Sequence, residues 1–118
     1  MIALSSVQMK PKRNTVITFP HDAKGRLIAI MPDDTMTGEI ECRSTIIIDN
    51  KNQKYLEDGV FAFYIDGIFM VKRLQFLPDA ILVIPNNKHY QNWKIEPLDK
   101  CELVIIGRVV ISLSERAH

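Results

Sequence analysis

An Asp-Gly pair, Asp66-Gly67, stands between two runs rich in β-branched and aromatic residues, and it constrains the fold more than any other feature of this chain. A two-residue hairpin turn of type I′ needs positive φ at both central positions, and Asp-Gly meets that need well. The turn therefore fixes the register of a β-hairpin. Counting outwards from it places Phe61 opposite Lys72.

Apolar residues alternate with a period of two along most of the chain, and no window of a dozen residues gives an amphipathic helix. The pattern predicts an all-β fold with little or no helix. The expected strands are Thr15–Phe19, Leu27–Met31, Thr45–Asp49, Val60–Ile65, Ile68–Leu74, Ala80–Ile84, Trp93–Glu96 and Leu103–Leu113. Residues 1–14 lack this periodicity and are interpreted as a linker or arm, and residues 15–118 as one domain.

The hairpin register predicts an unusual environment for Lys72. Side chains alternate along a strand, so Lys72 shares its face with Met70 and, across the pair, with Phe61 and Phe63. Burial against apolar neighbours disfavours the ammonium form and lowers the pKa of a lysine, which is how such a residue becomes a base. The alternative is that the long stem snorkels and the charge reaches water at the sheet edge.

Several segments occur in an order that resembles the carboxy-terminal domain of the LexA and phage CI repressor family. An alternating strand leads into an acidic turn, an isoleucine run follows, and a hairpin, a polar loop and a last strand come after it. These segments are Leu27-Ile28-Ala29-Ile30, Asp33-Asp34-Thr35-Met36, Ile46-Ile47-Ile48-Asp49, Glu57-Asp58-Gly59, Val71-Lys72-Arg73-Leu74, Asn86 to Tyr90 and Ile105-Ile106-Gly107-Arg108-Val109-Val110. The resemblance implies twisted β-ribbon sheets with a hairpin, as in LexA and signal peptidases.

The resemblance also assigns a Ser-Lys catalytic dyad, with Thr35 at the position of the nucleophile and Lys72 at that of the base. Three departures argue against activity. Threonine replaces serine, Asp33 stands where the family has glycine, and the chain contains no Ala-Gly or Cys-Gly pair, the dipeptides at which members cut themselves. We therefore predict that Thr35 and Lys72 are vestigial dyad positions. The alternative is an active Thr/Lys autoprotease of an SOS-induced repressor.

By resemblance, the chain is expected to be the dimerisation or oligomerisation domain of a phage or prophage repressor. A separate helix-turn-helix domain outside this chain would bind operator DNA, and, without cleavage, an antirepressor protein would supply induction. The last strand is the candidate interface, through Ile106, Arg108 and Val110, because it is largely apolar on both faces. The alternative is a central strand that is buried on both sides within one subunit.

Composition excludes other classes of function. The formal net charge of +1 argues against a broad nucleic-acid surface. No apolar stretch approaches the length of a membrane span, and no secretory signal follows Met1. Cys42 and Cys101 have no metal-site spacing and suit reduced thiols in a bacterial cytoplasm, and no cofactor is expected. Tyr90 and Trp93 are expected to cover the core.

Overall fold

The computed structural model describes residues 19–51, 57–96 and 99–114, and these residues fold around one antiparallel sheet. Its strands run in the order β1-β2-β7-β3-β4-β5-β6. They are β1 (Leu27–Ile30), β2 (Thr45–Asp49), β3 (Gly59–Ile65), β4 (Ile68–Phe76), β5 (Ile81–Ile84), β6 (Trp93–Ile95) and β7 (Leu103–Leu113). The described residues contain no helix, so the expected all-β class is confirmed.

The β3–β4 hairpin has the register that its turn predicts. Asp66 and Gly67 both adopt positive φ, 48° and 82°, as a type I′ turn requires. Seven residue pairs follow from Ile65↔Ile68 to Gly59↔Leu74, and Phe61 lies opposite Lys72. The local chemistry of two turn residues thus determines which face of the sheet Lys72 occupies.

Two apolar clusters lie on opposite faces of the sheet, because neighbouring residues of β3 belong to different clusters. The first cluster contains Phe61 and Phe63, and the second contains Val60 and Ala62. We call these the first core and the second core. The first core is completed by Leu74, Ile81, Val83, Ile95, Leu103 and Ile105. The second core is completed by Leu27, Ala29, Met31, Met36, Ile40, Ile46, Ile48 and Val71.

The long strand β7 lies inside the sheet and joins its two halves, since it pairs with β3 and with β2. Its register shifts twice. Against β3, Gly107 and Ile105 are paired and Ile106 is passed over; against β2, Ile111 and Val109 are paired and Val110 is passed over. Each shift is a β-bulge that changes which residues share a face. A Cβ on Gly107 would lie 2.3 Å from the carbonyl oxygen of Asp49, so only glycine allows this close approach.

The observed strand bounds agree with the predicted ones to within two residues, with one exception that cannot be compared. Residues 15–18 of the expected strand Thr15–Phe19 lie outside the described residues, as does the expected linker or arm, 1–14. Phe19 itself is not in a strand. Its ring packs on that of Phe69, with the centroids 5.8 Å apart, and so contributes to the second core.

Candidate functional site

The structure brings Thr35 and Lys72 into direct contact. Thr35 lies in the turn that follows β1, residues 33–40, which we call the Thr35 turn; Lys72 lies in the middle of β4. The Nζ atom of Lys72 is 2.8 Å from the Oγ1 atom of Thr35. Both residues are buried: 5% of the surface of Lys72 and 6% of that of Thr35 is exposed. A hydroxyl and a buried amine at this distance have the geometry that a dyad requires.

Lys72 is buried because of the hairpin register, which sets it opposite Phe61 and two residues before Leu74 on the face of the first core. Its side chain is 7% exposed, so the snorkelling alternative is wrong. Burial lowers the pKa of Lys72 below its ordinary value, and the charge and hydrogen bond of Asp33 oppose that shift only in part.

Asp33 makes three contacts with the pair. One carboxylate oxygen, Oδ1, accepts hydrogen bonds from the hydroxyl of Thr35 at 2.6 Å and from its backbone N–H at 3.1 Å. The other oxygen, Oδ2, lies 3.5 Å from Nζ of Lys72. Burial alone raises the pKa of Asp33, but the two hydrogen bonds from Thr35 and the charge of Lys72 outweigh it, and the pKa lies below its ordinary value. The carboxylate is therefore ionised at neutral pH.

This arrangement directs the hydroxyl proton away from the amine. A threonine hydroxyl has one proton to donate, and here Asp33 accepts it, so Lys72 donates to Oγ1 instead of receiving from it. In a working dyad, a neutral amine takes that proton while the oxygen attacks. The backbone N–H of Thr35, which could otherwise stabilise an oxyanion, is also bonded to Asp33. The three residues form an ion-pair network centred on the hydroxyl of Thr35.

The polar loop of residues 86–90, the Asn86 loop, holds the Thr35 turn against the sheet. Asn87 donates its backbone N–H to the carbonyl of Thr35 and its side-chain amide to that of Asp34, both at 2.9 Å. The side chain of Asn86 donates to the carbonyl of Thr37, also at 2.9 Å. Tyr90 donates its hydroxyl to the carboxylate of Asp34, and this hydrogen bond is the main reason that the pKa of Tyr90 is raised.

Of the two residues expected to cover the core, Trp93 lies opposite buried Val83 on the face of the first core, whereas Tyr90 hydrogen-bonds to Asp34. Tyr90 is 44% exposed and Trp93 is 36% exposed. The sequence pattern identified the Asn86 loop as a turn but gave no indication that its side chains bind the Thr35 turn, more than forty positions earlier. A tyrosine in a polar loop, rather than in an apolar strand, is the one signal that could have suggested a hydrogen-bonding role.

The three residues of the predicted interface do not share one outer face, because the two bulges of β7 separate them. Ile106 is half-buried and packs against the second core. Arg108 donates to the backbone carbonyls of Asp58 and Glu57 and lies over the ring of Phe61. Val110 is the exception, with 43% of its surface exposed. The alternative of a buried central strand applies to the first half of β7, whose odd-numbered residues are buried.

A different apolar surface lies on the side of β1, β2 and β7 that faces away from the second core. The registers align Leu113 with Thr45 and Ile30, and Ile111 with Ile47 and Ile28. Side chains directly opposite one another across an antiparallel pair point to the same side of the sheet. Ile30 and Leu113 are 55% and 56% exposed. We call these residues the outer face: Ile28, Ile30, Thr45, Ile47, Ile111 and Leu113.

The described part of the chain contains no helix capable of crossing a membrane. Across residues 19–51, 57–96 and 99–114, no three histidine, cysteine or acidic side chains lie close enough together to hold a metal ion. Cys42 and Cys101 are free thiols.

Comparison with known proteins adds two findings. Residues 6–110 match the family model described as Peptidase S24-like. The 26 kDa repressor protein of Escherichia phage HK022 is 32% identical over 81 residues, which is 69% of this chain. The aligned region is 34% of the phage protein, so the chain spans about a third of the length of this curated relative.

Proposed function

The chain belongs to the Peptidase S24-like family, and on that premise we propose that it is the self-association domain of a phage or prophage repressor. In this proposal the domain dimerises, or forms higher oligomers, and so allows a helix-turn-helix domain outside this chain to bind operator DNA cooperatively. It does not cut itself. The repressor named in the comparison supports the first part, and the Asp33 network supports the second.

The observation that carries the self-association proposal is the outer face. None of the six described residues that define this face is charged, and three of them, Ile30, Ile111 and Leu113, are exposed, whereas Ile28 is half-buried and Ile47 is buried between the rows. Val110 is exposed in the bulge beside them. Contiguous exposed apolar surface on a small protein marks an interaction site. DNA does not suit this surface, because phosphate binding relies on clustered lysine and arginine.

A second copy of the same chain suits the outer face well. A two-fold interface brings the same patch of both subunits together, so an uncharged patch meets another uncharged patch and leaves no ion unpaired. Joining two operator-binding domains in this way makes binding of the second half-site effectively intramolecular, which raises affinity by about 10² to 10⁴. This gain is the physical reason for a repressor to carry a self-association domain.

The proposal is tested with the wild-type chain in solution. Sedimentation velocity over a concentration series should show dimers at micromolar concentration without DNA, and a monomer at every concentration would refute self-association. The complete repressor should also remain uncut at alkaline pH, with and without activated host recombinase, as judged by mass spectrometry of the products.

A second candidate function is the autoprotease that uses Thr35 as nucleophile and Lys72 as base. The 2.8 Å contact between Nζ and Oγ1 and the burial of the amine favour it. It requires Asp33 to give up the hydroxyl proton of Thr35. Specific cleavage of the complete repressor that disappears in both Thr35→Ala and Lys72→Ala would establish this function in place of a non-cleaving domain.

If the domain does not cut itself, another event must release the operator. An antirepressor protein that binds this domain and separates its subunits is the mechanism we propose. The outer face is the surface such a protein would have to compete for, because its apolar rows would be exposed only in the monomer. Excess antirepressor should then shift sedimentation from dimer to a one-to-one complex.

A further inference from the structure

We propose that Asp33 inhibits a latent acyl-transfer site, a role that we call the lock. Removal of Asp33, which gives the unlocked site, lets Thr35 act as a nucleophile activated by Lys72. The inference takes from the proposed function that the native chain does not cleave itself. It adds the reason for this inactivity and the single residue responsible. The substrates expected for the unlocked site are activated carboxylic esters, which react without a peptide-binding cleft.

The first step of the argument is the position of Asp33. Its carboxylate holds the hydroxyl proton of Thr35 at 2.6 Å and the backbone N–H of the same residue at 3.1 Å. The side chain of Asp33 is 39% exposed, whereas Thr35 is 6% exposed. Asp33 is therefore the solvent-exposed member of the three-residue network, in direct contact with the buried hydroxyl.

The second step is that Lys72 and Thr35 are also held in place by contacts other than those with Asp33. Lys72 is placed by the hairpin register opposite Phe61. Thr35 is placed by the Asn86 loop, through the hydrogen bond from Asn87 to its carbonyl. Without the carboxylate, the amine keeps its apolar surroundings and loses the charge that favours its ammonium form. The hydroxyl proton and the backbone N–H become free at the same time.

The chemical step of the unlocked site balances without any further reactant. With p-nitrophenyl acetate, Oγ1 of Thr35 attacks the carbonyl carbon and neutral Nζ of Lys72 takes the hydroxyl proton. The free backbone N–H of Thr35 stabilises the oxyanion. The bond from carbon to the nitrophenyl oxygen then breaks, and Lys72 returns the proton to that oxygen. The products are nitrophenol and Thr35 carrying an acetyl ester.

The test compares Asp33→Ala with the wild type and follows acetylation of Thr35 by peptide mass mapping, which separates it from reactions of lysine, cysteine and the amino terminus. We expect acetylation of Thr35 to be about 10²-fold faster in Asp33→Ala, the lower end of what a positioned base contributes. The increase should be lost in Asp33→Ala combined with Lys72→Met. Equal rates in Asp33→Ala and the wild type, or an increase that survives Lys72→Met, would overturn the inference.

The matched control uses the neighbouring carboxylate. Asp33→Leu and Asp34→Leu replace adjacent carboxylates with side chains of nearly the same shape that accept no hydrogen bond, and Asp34 is bonded to Tyr90 rather than to the pair. Only Asp33→Leu should accelerate acetylation. Because leucine keeps the shape of the side chain, this variant also serves if Asp33→Ala fails to fold. Similar rates in the two leucine variants would overturn the lock.

The two proposals fail in different ways. Self-cleavage of the wild-type repressor would refute the non-cleaving domain, whatever the variants do. An uncut wild type together with unreactive, folded Asp33 variants would refute the lock alone. Sedimentation of each variant reports on self-association independently, because Asp33 lies outside the outer face.

Discussion

Leu113→Asp should convert the dimer that we propose into a folded monomer. Leu113 is 56% exposed in the single chain and ends the row that Thr45 and Ile30 continue across the sheet. Full burial of a leucine is worth about 1.5 to 3 kcal/mol, so covering its exposed half is worth about 1 kcal/mol per subunit. Both subunits of a two-fold interface contribute this leucine, so the substitution removes about 2 kcal/mol of apolar burial in total.

The new carboxylates add a second cost. Burying a polar group without a partner costs about 1 to 3 kcal/mol in proteins, and the two-fold interface contains two such groups with the same charge. Even at the low end, the total is about 4 kcal/mol. Each 1.4 kcal/mol is a factor of ten in Kd, so dimerisation should weaken by about 10³-fold.

Ile68→Asp is the matched control for this experiment. Ile68 is 59% exposed, also in a strand, but at the tip of the hairpin beside the opposite end of β7. Ten residues of extended strand separate the two ends of β7, a distance of about 33 Å. Both variants should melt near the wild-type temperature when measured as monomers. Sedimentation that shows equal dimerisation for Leu113→Asp and the wild type, or equal loss in both variants, would refute the assignment of the outer face.

Three further substitutions test other parts of the structure. Ile106→Asp should cost about 3 kcal/mol of stability because Ile106 packs against the second core, whereas Val110→Asp should stay folded because Val110 is exposed. Urea titrations that find Val110→Asp less stable than Ile106→Asp would contradict the bulged register. Gly67→Val should cost about 1 to 2 kcal/mol and lower the Tm by several degrees, because φ at this position is 82°, and an unchanged Tm would contradict the type I′ turn. The pKa of Lys72 is lowered from 10.5, so the folded chain binds its proton less tightly than the unfolded chain and wild-type stability rises with pH up to about 10.5. Lys72→Met should therefore be more stable than the wild type at neutral pH and lose this advantage as the pH approaches 10.5; a stability difference independent of pH would show that the amine is not destabilised by burial.

Local rules were sufficient for much of this fold because its strands are delimited by turn chemistry and its faces by alternation. The hairpin is the clearest case: Asp66-Gly67 determines all seven pairs of β3 with β4, and hence the face of Lys72. The limit of local rules is visible in β7. Strict alternation placed Ile106, Arg108 and Val110 on one face, but each bulge inserts a residue and reverses the alternation beyond it.

The bulges could not be predicted because they arise from distant pairing. Gly107 approaches the backbone of Asp49 so closely that a side chain would not fit, and that contact exists only once β2 and β7 are neighbours. In the site, too, the sequence identified individual residues but not the contacts that form only on folding. The sequence identified Thr35, Lys72 and the unusual Asp33. The hydrogen bonds that the Asn86 loop donates depend on a contact between segments that the chain brings together only on folding.

The Asp33 network explains how a dyad geometry can persist in a domain that we propose does not cleave. Burying the amine of Lys72 without a partner would destabilise the fold, because an ammonium loses its hydration and gains nothing in return. Asp33 and the oxygen of Thr35 supply that partner. The contacts that make the buried lysine tolerable are the same ones that hold the hydroxyl proton and the backbone N–H of Thr35. In this proposal, the stability of the buried lysine and the inactivity of the site therefore have one cause, the contacts of Asp33 with Thr35 and Lys72.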